Sequence, residues 1–195
     1  MTDEGLLKSA SGGDEAAFMV LYQRHADAVF RFAYRLTGSV SVAEDVTHDC
    51  FLSLIRSPAR FDPARAVTLR TYLYAAARNL SLKHLRPSGS SVGLDELTEE
   101  PAGPEASQPL RQLLDEELSA EVRRAVESLP PLQREALILF EYEELTLAEV
   151  ALVVGVETGV VKSRLHRARR NLRQLLAPYL SGERGALEST GGLLR

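Results

Sequence analysis

The stretch from Pro87 to Pro109, "PSGSSVGLDELTEEPAGPEASQP", sets what this chain can fold into. It is rich in Pro, Gly and Ser. It carries five acids (Asp95, Glu96, Glu99, Glu100, Glu105) and no Lys or Arg. So little of it is apolar that it has no means of offsetting the entropy of ordering, and it reads as a flexible acidic linker. A chain of 195 residues divided there has room for two small cores. On both sides apolar residues recur at helical spacing, and no stretch alternates as a strand would. The fold class predicted is all-α: two small helical domains, residues 14–86 and 110–177, joined by the linker 87–109 and followed by a flexible tail, 178–195.

The first block holds three helices. In "DEAAFMVLYQRHADAVFRFAYRLTG" the residues Phe18, Leu21, Tyr22, His25, Val29, Phe32 and Leu36 share a face, and Gly38 stops the helix. His25 on that face reads as a packed core histidine. In "SVSVAEDVTHDCFLSLIRSP" a capping-box pattern places the cap at Ser41 with Glu44, and Pro58 ends the helix. Its apolar face is Val42, Val46, Cys50 or Phe51, and Leu54. A third helix spans Val67 to Leu85, with Leu69, Leu73, Ala76, Ala77 and Leu80 as its buried stripe. The second block predicts four helices. The first ends at Pro130-Pro131, and the third is capped by Thr146 with Glu149 three residues on.

Composition narrows the function classes. The single cysteine, Cys50, allows no intrachain disulfide and no Cys-rich zinc site, which suits a reducing cytosol. It lies on an amphipathic helix, as buried rather than reactive thiols do. The acidic N-terminus is unlike a signal peptide, and no run approaches the about eighteen apolar residues of a membrane span. The four histidines, His25, His48, His84 and His166, have no metal-ligand spacing, and no glycine-rich phosphate loop follows a strand. No cofactor and no enzymatic activity are expected.

The formal net charge is −4, yet "VVGVETGVVKSRLHRARRNLRQLL", Val153 to Leu176, carries Lys162, Arg164, Arg167, Arg169, Arg170 and Arg173 against one acid, Glu157. A short capped helix, a glycine turn at Gly155 and a second helix from Glu157 or Thr158 have helix-turn-helix form. In the second helix Val161, Leu165, Ala168 and Leu172 fall on one face, while Lys162, Ser163, His166, Arg167 and Arg170 fall elsewhere. That suits a recognition helix in the major groove, where Arg grips guanine and other cations meet phosphates. Basic amphipathic helices also occur as solvated faces; the glycine turn and the capped helix before it favour DNA. A second basic surface lies between Arg60 and Arg86, with Arg65, Arg70, Arg78 and Lys83 against one acid, Asp62, and with Tyr72 and Tyr74 interleaved. Aromatic rings among cations suit unstacked bases, although tyrosines edging a helical core would look the same. Glu44, Asp45, His48 and Asp49 instead form an acidic rim suited to a protein partner.

Taken together these stretches resemble the extracytoplasmic-function sigma factors of the sigma-seventy family of bacterial RNA polymerase. "AEDVTHDCFLSLIR" is similar to the family's "AEDLVQEVFLRLW", and "RTYLYAAARNLSLKHLR" resembles "RAWLYTIARNLALDHLR". The segment from "LPPLQREALILF" to "RLHRARRNLR" resembles the sigma-four domain almost throughout, and the first block looks like the sigma-two domain. The family has Gln where this chain has His48, Trp at Tyr72 and Thr at Val160.

The resemblance implies a transcription initiation factor in the cytoplasm. Its partners would be core RNA polymerase, promoter DNA and an anti-sigma factor. Polymerase docking falls on the face of Asp45, His48, Asp49 and Leu52. Reading and melting of the minus-ten element falls on Arg70, Thr71, Tyr72, Tyr74, Arg78 and Asn79. Reading of the minus-thirty-five element falls on Lys162, Ser163, Arg164, His166, Arg167 and Arg170. The linker would thread toward the polymerase active centre. The runner-up from the residues alone is a helix-turn-helix regulator that binds duplex DNA but not polymerase. A helical adaptor protein is the third reading.

Overall fold

The computed structural model describes residues 1–58, 61, 68–85 and 120–180. The linker 87–109 and the tail beyond residue 180 lie outside these residues. Among the described residues the regular structure is helical, with no strand. Two compact units emerge: residues 1–86 with 130–169, and residues 87–129 with 170–195.

In the first unit, α1 (Asp3–Ser11) is a helix that periodicity alone did not announce. Thr2 caps it, accepting a hydrogen bond from the Gly5 amide, and Asp3 and Glu4 sit in the first turn, where the helix dipole favours them. Leu6, Leu7 and Ala10 are buried. α2 (Glu15–Thr37) is capped by Asp14 and ends at Gly38, whose φ of 72° is the left-handed conformation glycine adopts without strain. It is the central helix, packing against α1, α3 (Val40–Arg56) and α4 (Leu69–Leu85).

The cap of α3 is Ser39, not Ser41. Gly38 turns the chain straight into the next helix, so Ser39 takes the extended cap conformation and accepts from the Val42 amide at 3.4 Å. Ser41 is already inside the first turn. Thr68 does the equivalent for α4, accepting from the Thr71 amide at 3.2 Å. The core of this bundle is Leu21, Val29, Phe32 and Leu36 from α2, Val46, Cys50, Phe51 and Leu54 from α3, and Leu69, Leu73, Tyr74 and Ala77 from α4. The choice left open between Cys50 and Phe51 resolves to both. His25 is not a purely apolar core residue. It is half-buried and its Nε2 lies 2.8 Å from Asp3, tying α2 to α1.

The same unit contains α6 (Pro131–Leu137), which continues into a π-helical turn, Ile138–Tyr142. Then come α7 (Leu147–Val154) and α8 (Thr158–Leu180), the last carrying Pro178 within it rather than fraying there. Among the described residues of the second unit, 120–127 are helical and are labelled α5, with Ala125, Val126 and Leu129 buried.

Candidate nucleic-acid interface

The α7–α8 pair is built by local rules. Thr146 caps α7 in a reciprocal capping box: its hydroxyl accepts from the Glu149 amide at 3.3 Å, and the Glu149 carboxylate accepts from the Thr146 amide at 2.8 Å. The Thr146 hydroxyl also donates to that carboxylate at 2.7 Å; this bond first, and the one from the Thr146 amide second, hold the Glu149 carboxyl below its ordinary range. Gly155 closes the helix at φ 71° and returns its amide to the Ala151 carbonyl at 2.9 Å. α8 then starts at Thr158. Val161, Leu165 and Ala168 are its buried stripe, as the spacing required. Lys162, Ser163, His166 and Arg167 are all exposed on the rest of the surface. Arg170 and Arg173 are exposed further along the helix.

Two of the six cations of this stretch are engaged. Arg169 bonds Glu141 at 2.6 Å and lies over the Phe140 ring. Arg164 turns inward and donates to Glu135 Oε1 at 2.9 Å. Glu135 is 0% exposed and also receives Arg78 of α4, through Nε at 2.7 Å and Nη2 at 3.1 Å. One buried carboxylate thus bridges α4 and α8.

A second carboxylate repeats the arrangement. Glu143 follows the π-helical turn and is buried. Its Oε1 accepts from Arg35 at 3.0 Å and its Oε2 from the Tyr74 hydroxyl at 2.5 Å, while Arg70 donates to its backbone carbonyl. Arg70 also lies over the Tyr74 ring, and Arg35 over Tyr142. The next residue, Glu144, has φ 52° without being glycine, a conformation that stores strain. Burial, then the hydrogen bond to Glu143, pushes the Tyr74 phenol up to about 12.

The residues expected on α4 therefore divide between two faces. Arg70, Tyr74 and Arg78 point to Glu143 and Glu135. Thr71 is buried, its hydroxyl 2.8 Å from that of Thr68. Tyr72 and Asn79 line a groove of about 530 Å³ between α3 and α4, with Asp49, Leu52, Ser53 and Arg56 along it. Tyr72 meets the ring of Phe61 edge-on at 5.7 Å. Asn79 is exposed at one end of this face.

On α3, Glu44, Asp45, His48 and Asp49 are exposed, and Leu52 is half-buried. Beside them lies an apolar hollow of about 290 Å³ lined by Phe18, Met19, Tyr22, His48, Phe51 and Leu52. Met19 and Tyr22 were not on the expected docking face. Met19 lies off the buried stripe of α2, and an apolar residue there is the signal that could have marked it. Glu135 and Glu143 were also missed. Glu135 stands on an otherwise apolar stripe with Ile138 and Leu139, where an acid without a partner would be costly. Cys50 is buried, and burial first, Asp49 second, pushes its thiol up to about 12. Among the described residues no group of three or more acids, histidines or cysteines could hold a metal, and no helix is long and apolar enough to cross a membrane.

Comparison with known proteins matches these parts in order. Residues 21–90 match the family model for Sigma-70 region 2, and residues 119–172 match that for Sigma-70, region 4. The chain is 36% identical over 174 residues to the ECF RNA polymerase sigma factor SigE of Mycolicibacterium smegmatis, covering 87% of this chain and 66% of that protein. It is 31% identical over 188 residues to the ECF RNA polymerase sigma-E factor of Escherichia coli, covering 92% and 97%. Its fold is similar to that of the sigma factor RpoE of Bartonella quintana, solved in complex with the anti-sigma factor NepR. The TM-score is 0.65 at 24% identity, over 82% of this chain and 96% of that one.

Proposed function

Because this chain belongs to the extracytoplasmic-function sigma factors of the sigma-70 family, promoter-specificity factors of bacterial RNA polymerase, we propose a division of that work among its helices. The observation that carries the reading is α8, whose apolar stripe is buried while Lys162, Ser163, His166 and Arg167 stay exposed.

The minus-thirty-five element is read by this exposed face. Arg167, in the third turn of α8, reaches base edges and can grip a guanine bidentately. Lys162, nearer the start, offers a point charge suited to a phosphate. Ser163, His166 and Arg170 add polar and charged contacts. Arg164 joins them when it is released from Glu135. The minus-ten element is read and melted by α4. Tyr72 and Asn79 face the groove beside α3, and an aromatic face there can take an unstacked base for ~1–3 kcal/mol. Arg70, Thr71, Tyr74 and Arg78 support the strand from the same helix. Core polymerase docks on the acidic face of Asp45, His48, Asp49 and Leu52, extended by the apolar hollow at Met19 and Tyr22.

The protein acts by binding, not by catalysis of its own, and it works in the cytoplasm, where the polymerase is. In this reading residues 14–86 and 110–177 are its two functional domains. An anti-sigma factor would hold it in reserve.

The experiment is gel filtration of the full chain with core RNA polymerase, followed by promoter-directed transcription. The wild type is expected to co-elute with core. Asp45→Arg combined with Asp49→Arg reverses the charge of the docking face and is expected to weaken co-elution at least tenfold, equivalent to ~1.4 kcal/mol. A double variant that binds core like the wild type would remove the docking face from α3. A wild type that binds promoter DNA but never core would return the protein to the class of ordinary helix-turn-helix regulators.

A further inference from the structure

We propose that Val160, on the exposed side of the first turn of α8, is a specificity-determining residue whose methyl groups pack on the 5-methyl group of a thymine in the minus-thirty-five element. The proposal rests on the reading that α8 lies in the major groove of that element.

Three observations carry it. First, Val160 is 42% exposed, while the next residue, Val161, is 0% exposed in the apolar stripe. The turn that directs it outward is ordered, since the Val160 and Val161 amides donate to the Glu157 carbonyl at 3.0 and 3.2 Å. Second, its neighbours on the exposed side are polar: Lys162, Ser163, His166 and Arg167. Ser163 and Arg167 follow Val160 at three and seven residues, so the three share one side of the helix. A lone surface valine is ordinary. One in the row that faces base edges is not, because a branched side chain gives up rotamer freedom in a helix and gains nothing there from water. Third, Gly159 beside it is exposed, a Cβ there would meet nothing within 4 Å, and its φ is not left-handed. Neither packing nor backbone conformation within the chain calls for glycine, a poor helix former, at this position. A residue without a side chain lets the first turn approach a partner closely.

Groove chemistry then identifies the ligand. The Val160 side chain has no hydrogen-bonding group, so it reads neither a donor nor an acceptor, and it offers no charge to a phosphate. The thymine 5-methyl is the apolar group that a base pair presents in the major groove, and it distinguishes thymine from cytosine, which lacks it. At 1.5 Å per residue, Val160 and Arg167 stand ~10 Å apart along the helix, and stacked base pairs are ~3.4 Å apart. The thymine therefore lies within about three base pairs of the guanine that Arg167 grips. Val160 supplies sequence discrimination where Lys162, a point charge on a phosphate, supplies none.

The test uses holoenzyme assembled from the full chain and core RNA polymerase, with a duplex library randomised across the minus-thirty-five segment. Sites are selected with the wild type. Affinities are then measured for duplexes in which each thymine in turn is replaced by deoxyuridine, which lacks only the base's methyl group. Wild type is expected to lose about fourfold at one thymine, equivalent to ~0.8 kcal/mol for one methyl-sized group left unburied. Val160→Ala withdraws both methyl groups of an exposed side chain and leaves the core intact. It is expected to bind the thymine and deoxyuridine duplexes within about twofold of each other. Arg167→Ala should instead lose the preference for guanine and keep the methyl effect. The inference is overturned if the selected site holds no thymine, or if no deoxyuridine weakens wild type. It is equally overturned if Val160→Ala weakens both duplexes alike and keeps the methyl effect, as a merely structural valine would. A wild type that never binds core, or whose holoenzyme selects no minus-thirty-five sequence, sinks the proposed function and this inference together. A selected sequence with Arg167→Ala blind to guanine, but no methyl effect at Val160, sinks this inference alone.

Discussion

At Tyr74 the phenol sits 1% exposed with its hydroxyl on Glu143. Its value is pushed up from 10.0 to about 12, so the folded state holds this proton more tightly than the unfolded chain does. Its contribution to stability is complete below pH ~10 and is lost as pH rises through about 12. The advantage of wild type over Tyr74→Phe in urea denaturation is therefore expected to shrink across that window. A spectrophotometric titration should show the matching late phenol in the wild type alone. A Tyr74 that titrates at its ordinary value would mean the ring is not held against the carboxylate. Tyr74 also marks the limit of what single residues disclosed. Its place among cations suggested stacking on bases, and a tyrosine at the edge of a core gives the same spacing. Lys162, Ser163, His166 and Arg167 were legible, because a helical stripe fixes which neighbours must face water. Glu135 and Glu143 were not, because their partners lie far away along the chain.

The element that sequence specified most fully is the α7–α8 pair, since each of its devices is local. The T-x-x-E cap, the glycine at the turn and the buried stripe each involve residues a few positions apart. Gly155 has open space around the place a Cβ would take, so only its φ of +71° opposes substitution. Gly155→Ala is expected to lower stability by ~1 kcal/mol, and Gly155→Asn by less, because Asn tolerates the left-handed region. Thr146→Ala loses the hydroxyl half of the capping box, while its backbone amide still donates to Glu149, and is expected to cost ~1 kcal/mol. Each change should lower the urea midpoint with an unchanged slope. A Gly155→Ala protein as stable as wild type would refute the left-handed turn. Elsewhere the local signals were thinner. α1 is nine residues with only Leu6, Leu7 and Ala10 buried, too short a run for periodicity to stand out. Ser39 and Ser41 both precede the α3 stripe, and the tight turn at Gly38 decided between them.

At the scale of the molecule, the formal charge of −4 conceals its distribution. Charge pattern and the all-helical class were readable, and so was the family, because they follow from composition and local period. How residues 1–86 and 130–169 come to form one compact unit was not. The pairs that tie them, Arg78 to Glu135 and Arg35 to Glu143, are 57 and 108 residues apart and leave no periodic trace.

One of those ties makes two distant arginines redundant for each other. Glu135 accepts from Arg78 and from Arg164, so either arginine can be lost while the carboxylate keeps a counter-charge. Arg78→Ala or Arg164→Ala alone removes one donor from a site that still has another. The double variant strands a carboxylate that is 0% exposed, which must then take up a proton or drag water in. A thermodynamic cycle on the four proteins should therefore be more than additive, the double change exceeding the sum of the singles by ~1–3 kcal/mol. Strict additivity would mean that the two arginines do not share one acid. Sequence drift at either position would then be tolerated singly and penalised jointly, so the two sites would vary as a pair although one lies in each half of the chain.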